Sequence, residues 1–398
     1  MITEVAYEHY GEAVTDVMPA LGSHEPVTEE QRSRMFGSVP ASLFRVHDWR
    51  EDVVTIGHVS EEMVSEASGG HLKRPWPAQL NKLVWEGGHD LVLSIGQVVP
   101  HEVMGMANFN KNLFVGVGGK DAIDLSHFIG ASYGMEKMMG KADNPLRRIL
   151  NKASEDFLST LPLVYVLTVV GPDGDQGGLA LRGLFVGRDA ECFERAAALS
   201  IQVNFTTVDR PLDKVVVHLD KDEFRSTWLG NKSIYRTRMA IADGGELVVL
   251  APGVDKFGED ERIDRLIRQF GYRTTPQVMS FLEESVDLRE NLSAAAHLIH
   301  GSSEGRFVVT YCPGGLTREE VEAVGYRYAP LEDMLRRYPP SRLKDGFNDL
   351  PRRKLPHKRG QLHRVFFVSN PALGLWAAQG RVHQDSGGGG GGLGKCEP

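Results

Sequence analysis

Four short apolar runs recur through the C-terminal half of this 398-residue chain, and they constrain its fold more than any other feature. The runs are KVVVHL at 214–219, ELVVL at 246–250, RFVVTY at 306–311 and RVFFV at 364–368. Amphipathic segments that favour helices separate them, at 233–242, 261–270, 316–324 and 331–337. Strands that are apolar throughout are typical of parallel sheets, in which helices cover both faces and make the crossovers. The pattern therefore predicts an α/β fold.

The N-terminal half alternates in a similar way. An apolar run spans 14–21, strands are predicted at 90–95, 163–170 and 179–186, and helices at 29–36, 78–85 and 190–203. Thr28 is suited to cap the first helix. We therefore expect two domains, each a mostly parallel sheet flanked by helices. Their predicted ranges are 1–208 and 209–383, followed by a flexible glycine-rich tail at 384–398.

Composition excludes several classes of function. The formal net charge is −8, and the most basic segment, 352–359, is typical of a solvated loop, so we expect no nucleic-acid partner. No apolar run is long enough to span a membrane, and the start of the sequence does not have a signal-peptide profile. Three cysteines in no paired spacing favour a reducing compartment, and we expect a cytoplasmic protein.

Two histidines follow predicted strand ends in the first domain. His24 comes after the apolar run at 14–21, and His101 after the run that begins at residue 90. If these strands are parallel neighbours, both imidazoles face one crevice at the carboxyl edge of the sheet. Histidine suits proton transfer near neutral pH, although most of the 14 histidines must be surface or core residues.

A lysine and a third histidine extend this feature to the spacing H-x9-K-x15-H. Lys111 lies in ANFNKNLF, and such a lysine is either a solvated side chain or, when desolvation lowers its pKa, a nucleophile. His127 lies in LSHFIG and is either a packed core residue or a ligand for nickel, copper or zinc. Because no other cluster completes a metal site, a cofactor would have to supply the remaining ligands.

These segments resemble the nickel-dependent lactate racemase family over most of residues 15–250. GSHEPVTEEQ, HEVMGMANFNK, the interval to His127 and the segment NPLR at 144–147 carry the resemblance. It implies a racemase or epimerase, an isomerase that acts on a 2-hydroxy acid. Reversible hydride transfer to a nickel-pincer nucleotide would invert the configuration of the substrate carbon that bears the hydroxyl. Cofactor-biosynthesis enzymes would supply that nucleotide.

The resemblance also implies a role for each residue. Lys111 would tether the cofactor covalently, His127 would bind nickel, and His24 and His101 would be the two catalytic acid/base groups. Lys232 matches a lysine that contacts substrate from the second domain, where it could equally be a surface residue.

The sequence departs from the family at three places. The family has an acidic residue and a substrate-binding arginine upstream of the segment that contains His24, and this sequence starts too late to include them. Directly before Lys111, GMANFN stands where the family has a glycine- and serine-rich segment. Before Lys232, Trp228 and Leu229 stand where the family has a polar pair. We therefore expect a hydroxy acid other than lactate.

Two other functions stay open. One is a non-catalytic protein that binds a nucleotide or metabolite. The other is a nicotinamide-dependent oxidoreductase, since the second domain is Rossmann-like; the lack of a G-x-G-x-x-G followed by an acidic residue counts against it.

Overall fold

The computed structural model describes residues 2–24, 26–173, 178–351, 362–372 and 374–381. The glycine-rich tail predicted from residue 384 and the basic segment 352–359 lie outside the described residues. No helix in the described ranges is long and apolar enough to cross a membrane.

The N-terminal region combines short strands with longer helices. Its helices are α1 Ile2–Tyr10, α2 Glu29–Phe36, α3 Glu61–Ala67, α4 Lys82–Glu86, α5 Lys120–Tyr133, α6 Met135–Met138, α7 Pro145–Phe157 and α8 Ala190–Asn204. Its strands are β1 Val53–Val59, β2 Trp76–Asn81, β3 Val92–Gln97, β4 Pro100–His101, β5 Gly105–Met106, β6 Leu163–Pro172 and β7 Leu179–Gly187. β3 is parallel to β6, whereas β6–β7, β1–β2 and β4–β5 are antiparallel pairs. The sheets here are therefore mixed.

The second region is built on one larger sheet. Its helices are α9 Thr227–Gly230, α10 Lys232–Tyr235, α11 Glu261–Phe270, α12 Thr275–Glu284, α13 Val286–Arg289, α14 Leu292–His300, α15 Arg318–Ala323 and α16 Leu331–Arg337. Its strands are β8 Phe205–Val208, β9 Leu212–His218, β10 Ile241–Ala251, β11 Val308–Pro313, β12 Arg327–Tyr328, β13 Gly346–Pro351, β14 Leu362–Val368 and β15 Leu375–Ala378. The sheet order is β12-β11-β10-β9-β14-β13, and only the β13–β14 pair is antiparallel.

The predicted α/β class is confirmed, and its physical basis is visible in the large sheet. The central strands β9 and β10 bury their valines completely because helices cover both faces. Helix α14 packs along α5, and its alanines at 294–296 are fully buried. Ser293 adds a hydrogen bond of 2.6 Å from its Oγ to Asp124 Oδ1 on α5. This contact joins the second region to the helix that carries His127.

Three sequence predictions are wrong, each because a longer-range pairing overrides a local pattern. Residues 14–21 form no strand; Val17 makes one isolated bridge to Phe44, so His24 follows a turn instead. The first half of the helix predicted at 78–85 belongs to β2, which pairs with β1, and only the second half, in α4, is helical. The helix predicted at 233–242 ends early, because Ile241 already pairs with Leu212 in the large sheet.

A glycine in the β4–β5 hairpin provides a test of this architecture. Gly105 has φ 74°, and a Cβ there would lie 2.0 Å from the carbonyl oxygen of Lys141. Gly244 has a similar φ of 76° but no neighbour within 4 Å of its Cβ position. We expect Gly244→Ala to lower the free energy of unfolding by about 1 kcal/mol, from backbone strain alone.

Gly105→Ala should lower it by about 3 kcal/mol, since overpacking adds to the same strain. Urea denaturation of the two variants measures the difference. Equal losses would show that the hairpin is free to move away from residue 141.

Candidate functional site

The β4–β5 hairpin fixes the orientation of His101. Its Nδ1 accepts hydrogen bonds from the backbone N–H groups of Val103 at 3.1 Å and Met104 at 3.4 Å. Because Nδ1 is the acceptor, the neutral ring carries its proton on Nε2. Burial lowers the pKa of His101 well below its ordinary value, against the opposing charge of Glu102. His101 therefore stays neutral and presents an N–H group from Nε2.

The loop before Lys111 has an unusual backbone. Asn108 and Phe109 both adopt left-handed conformations, with φ 68° and 59°. The backbone N–H of Phe109 donates to Asn108 Oδ1 at 2.7 Å, and the Phe109 ring stacks on Phe193 at 5.0 Å between centroids. Lys111 then begins a π-helical turn, Asn112–Gly116, a feature that occurs often at functional sites.

Buried Arg147 holds this loop in place. It is 1% exposed and donates to the carbonyl oxygens of Met106 at 2.6 Å and Asn108 at 3.3 Å, and to Asn110 Oδ1 at 2.5 Å. Asn144 caps the helix that carries Arg147 by accepting from its backbone N–H at 2.9 Å. The NPLR segment therefore fixes the position of the lysine loop.

The environment of Lys111 makes its amine a better nucleophile. Burial lowers the pKa of Lys111 to about 8, with smaller lowering by Arg147 and Lys232 and opposition from Glu102. The amine is therefore largely neutral slightly above physiological pH, as a nucleophilic lysine requires.

His127 lies on α5 with one ring nitrogen engaged. Its Nδ1 is 2.7 Å from the carbonyl oxygen of Ile123, so Nδ1 carries the proton and Nε2 keeps its lone pair. This is the arrangement in which histidine binds metals, with the second nitrogen donating to a carbonyl. Burial lowers the pKa of His127, which keeps the ring neutral. In the described part of the chain, no group of three or more His, Cys, Asp or Glu residues could hold a metal ion.

His24 occupies a turn that packs on the end of the lysine loop. The N–H of Gly22, whose φ is 59°, donates to the carbonyl oxygen of Gly116 at 2.7 Å. Surrounding protein and the charges of Lys232 and Lys111 lower the pKa of His24 to about 4. The side chain keeps solvent exposure, and the positive charges of both lysines act on it.

Lys232 starts helix α10 from the second region. Burial lowers its pKa, and the charge of Glu102 opposes this. The structure thus brings together all five residues singled out in the sequence: the Lys111 charge acts on each of the three histidines, and the Lys232 charge acts on His24 and Lys111. His101, Lys111, His127 and Lys232 are half-buried within otherwise buried segments.

Sequence reasoning missed two charged residues at this site. Glu102 Oε2 is 3.9 Å from His101 Nδ1 and also 3.9 Å from Arg236 Nη2. Glu102 is adjacent to His101 in sequence, so an ionisable pair at a strand end was a signal that could have found it. Arg236 is one helical turn after Lys232, a spacing that puts both on the same helix face.

The other lysine of the glycine-rich segment lies elsewhere. Lys120 Nζ pairs with Asp124 Oδ2 at 2.6 Å and donates to the carbonyl oxygen of Glu290 at 3.2 Å. It is 42% exposed and engaged with its own helix, so it serves as a control for Lys111.

Comparisons with known proteins found one family match and several similar structures. Residues 5–138 match the family model of the lactate racemase N-terminal domain. The chain resembles a Thermotoga maritima protein solved by structural genomics, with 23% identity, a TM-score of 0.74, and coverage of 91% of this chain and 85% of that one. It also resembles the lactate racemase apoprotein from Thermoanaerobacterium thermosaccharolyticum, with 17% identity, a TM-score of 0.64, and coverage of 91% and 78%.

No curated protein sequence matches the chain. The fold is therefore that of an α/β protein of the lactate racemase type. The family match covers residues 5–138, so it assigns this N-terminal part of the chain to the lactate racemase N-terminal domain family.

Buried histidines predict acid sensitivity. Burial, more than any other cause, lowers the pKa of His297 to about 3 and of His300 to about 4. The unfolded chain protonates these residues near pH 6.5, so between pH 6.5 and about 4 it binds more protons than the folded chain, and stability falls as pH falls. His297→Gln should show a shallower fall in melting temperature from pH 7 to 4.5 than wild type, whereas exposed His58→Gln should match wild type. Identical slopes for all three proteins would contradict this.

The lowered pKa of Lys111 predicts selective labelling. An amine-reactive acylating reagent attacks only the neutral amine, so labelling of Lys111 should rise with a midpoint near pH 8. Peptide mass spectrometry between pH 7 and 10 measures the labelled fraction, with Lys120 as the internal comparison. A rise confined to pH values above about 10 would mean that Lys111 behaves as an ordinary lysine.

Proposed function

We propose that this protein is a racemase or epimerase of a 2-hydroxy acid that works with a lysine-tethered nickel-pincer nucleotide. The observation that carries the proposal is that Lys111, His127, His24 and His101 lie close enough for their charges to act on one another, with a nucleophilic amine and a free imidazole lone pair among them. The family relationship supports the same class of reaction.

Two residues suit the cofactor. Lys111 offers an amine that burial makes available for a covalent link. His127 offers Nε2, oriented by the bond between Nδ1 and the carbonyl of Ile123, as a single protein ligand to nickel. When bound, this cofactor supplies a hydride acceptor next to the substrate carbon.

The two other histidines supply proton transfer. Neutral His24 accepts the proton of the substrate hydroxyl and becomes an imidazolium, while neutral His101 donates a hydrogen bond from Nε2 to the same oxygen. A substrate that loses the C2 hydride and this proton becomes a planar 2-keto acid. Return of the hydride to the opposite face, and of the proton from His24 to the oxygen, gives the other enantiomer.

The charge of the substrate would change the pKa of His24. The lysine charges lower the pKa of His24, so an anionic substrate that offsets them raises the pKa toward neutrality. A carboxylate in the cleft therefore makes His24 a stronger base only when a substrate is present.

Co-expression with enzymes that make the cofactor tests the proposal. Intact-protein mass should show an addition on Lys111, and metal analysis should show about one nickel per chain. Lys111→Ala should lose both, because the covalent link is gone, and Lys120→Ala should keep both. A wild-type protein without added mass and nickel would overturn the proposal and leave a non-catalytic binding protein as the better account.

A histidine variant separates cofactor loading from chemistry. His24→Ala should retain the added mass and the nickel but lower racemisation by about 10²- to 10⁴-fold, the usual effect of losing an acid/base group. Chiral chromatography of a hydroxy acid incubated with each protein measures the rate. Unchanged turnover in His24→Ala would remove this histidine from the mechanism.

A further inference from the structure

Arg236 is a buried cation whose hydrogen-bonding capacity is largely unused. It is 3% exposed, and its Nε and Nη1 have no hydrogen-bond partner among the described residues. Its backbone is held at both ends, since its N–H donates to the carbonyl of Lys232 at 3.1 Å and its carbonyl accepts from Trp376 at 3.0 Å. Buried guanidinium groups are normally satisfied by several acceptors, so this one is built to receive another.

The ion pair that Arg236 makes is loose. Its Nη2 lies 3.9 Å from Glu102 Oε2, beyond hydrogen-bond length, and that oxygen has no hydrogen-bond partner in the described part of the chain. Arg238, two residues further on, shows the contrast: it is also buried, but it donates to Glu136 Oε1 at 2.9 Å and to the carbonyl of Ser302 at 3.1 Å.

The charges around this pair do not balance. Lys111, Lys232 and Arg236 all act on Glu102, the one carboxylate that influences the whole group. The other acidic neighbours are engaged elsewhere: Asp124 bonds to Lys120 and Ser293, Glu223 to Asn370, and Glu259 to Ser226. An excess of positive charge in a half-buried cleft favours an anionic ligand.

Glu102 and His101 are more exposed than Arg236, which lies next to them. They keep 14% and 18% of their side chains exposed, whereas Arg236 keeps 3%. An anion would therefore have to reach Arg236 past these two side chains. A planar carboxylate is the anion that matches the fork of a guanidinium.

We propose that Arg236, flanked by Glu102 and Lys232, is the group that binds the carboxylate of the hydroxy-acid substrate. The proposal rests on the proposed function for the identity of the ligand, but the anion site itself stands on the geometry of these three side chains. Arg236 then selects acids over neutral alcohols and amides. Glu102 limits how tightly the acid binds, because its own charge opposes a second carboxylate.

Calorimetric titration of the full chain tests the site without any turnover. The probes are lactate, malate and mandelate, each compared with its neutral amide. Wild type should bind at least one acid about tenfold or more tightly than the matching amide. Arg236→Gln should abolish the difference, Arg236→Lys should restore part of it, and Glu102→Gln should widen it, because the opposing charge is gone.

Arg238→Gln is the matched control. It removes a buried arginine two residues away, so it suffers a comparable loss of stability, yet it should keep the preference for acids. Thermal unfolding of both variants at pH 7 shows whether each is folded at the titration temperature. A wild type that does not distinguish acid from amide, or an Arg236→Gln variant that still does, would overturn the proposal.

The outcomes also separate this site from the proposed reaction. If the protein binds acids through Arg236 but never carries nickel, the proposed anion site is supported and the proposed racemase function is contradicted. If Arg236→Gln racemises the substrate with an unchanged KM, the racemase function is supported and Arg236 is not the group that binds the carboxylate.

Discussion

The position of the lysine loop depends on one buried guanidinium. Arg147 donates to three acceptors within residues 106–110, where Asn108 and Phe109 are both left-handed. Each such residue costs on the order of 1–3 kcal/mol, a strain that persists only when surrounding contacts fix it. Charge-assisted bonds from a buried arginine are strong enough to do so. The loop before Lys111 is therefore held in position by Arg147, 36 residues after that lysine in the sequence.

A single carboxylate sets the electrostatics of the cleft. Glu102 opposes the lowering of the pKa values of His101, Lys111 and Lys232, while burial drives all of them down. The result is a site whose histidines are neutral near physiological pH, while its lysines and Arg236 still favour an anion. Removal of Glu102 would leave the nearby cations without a counter-charge in the half-buried cleft.

The two regions of the chain each supply part of the site. The hairpin with His101 and the helix with His127 come from the N-terminal region, whereas Lys232 and Arg236 come from the start of the second. Helix α14 packs along α5 and brings the two sets together. A small ligand bound there would contact both regions, which is where small-molecule sites commonly lie.

The sequence by itself determined the α/β class and most strands of the large sheet, because both follow from local periodicity. Spacing and position also singled out the H-x9-K-x15-H group and His24, whereas Lys232 came from the resemblance to a family. Tertiary structure decided where residues 14–21 and 78–81 lie, because isolated bridges and strand pairing depend on distant partners. It also decided that Glu102 and Arg236, 134 positions apart, meet in one cleft. No sequence pattern specifies a contact between residues so far apart, since burial and charge are properties of the folded chain.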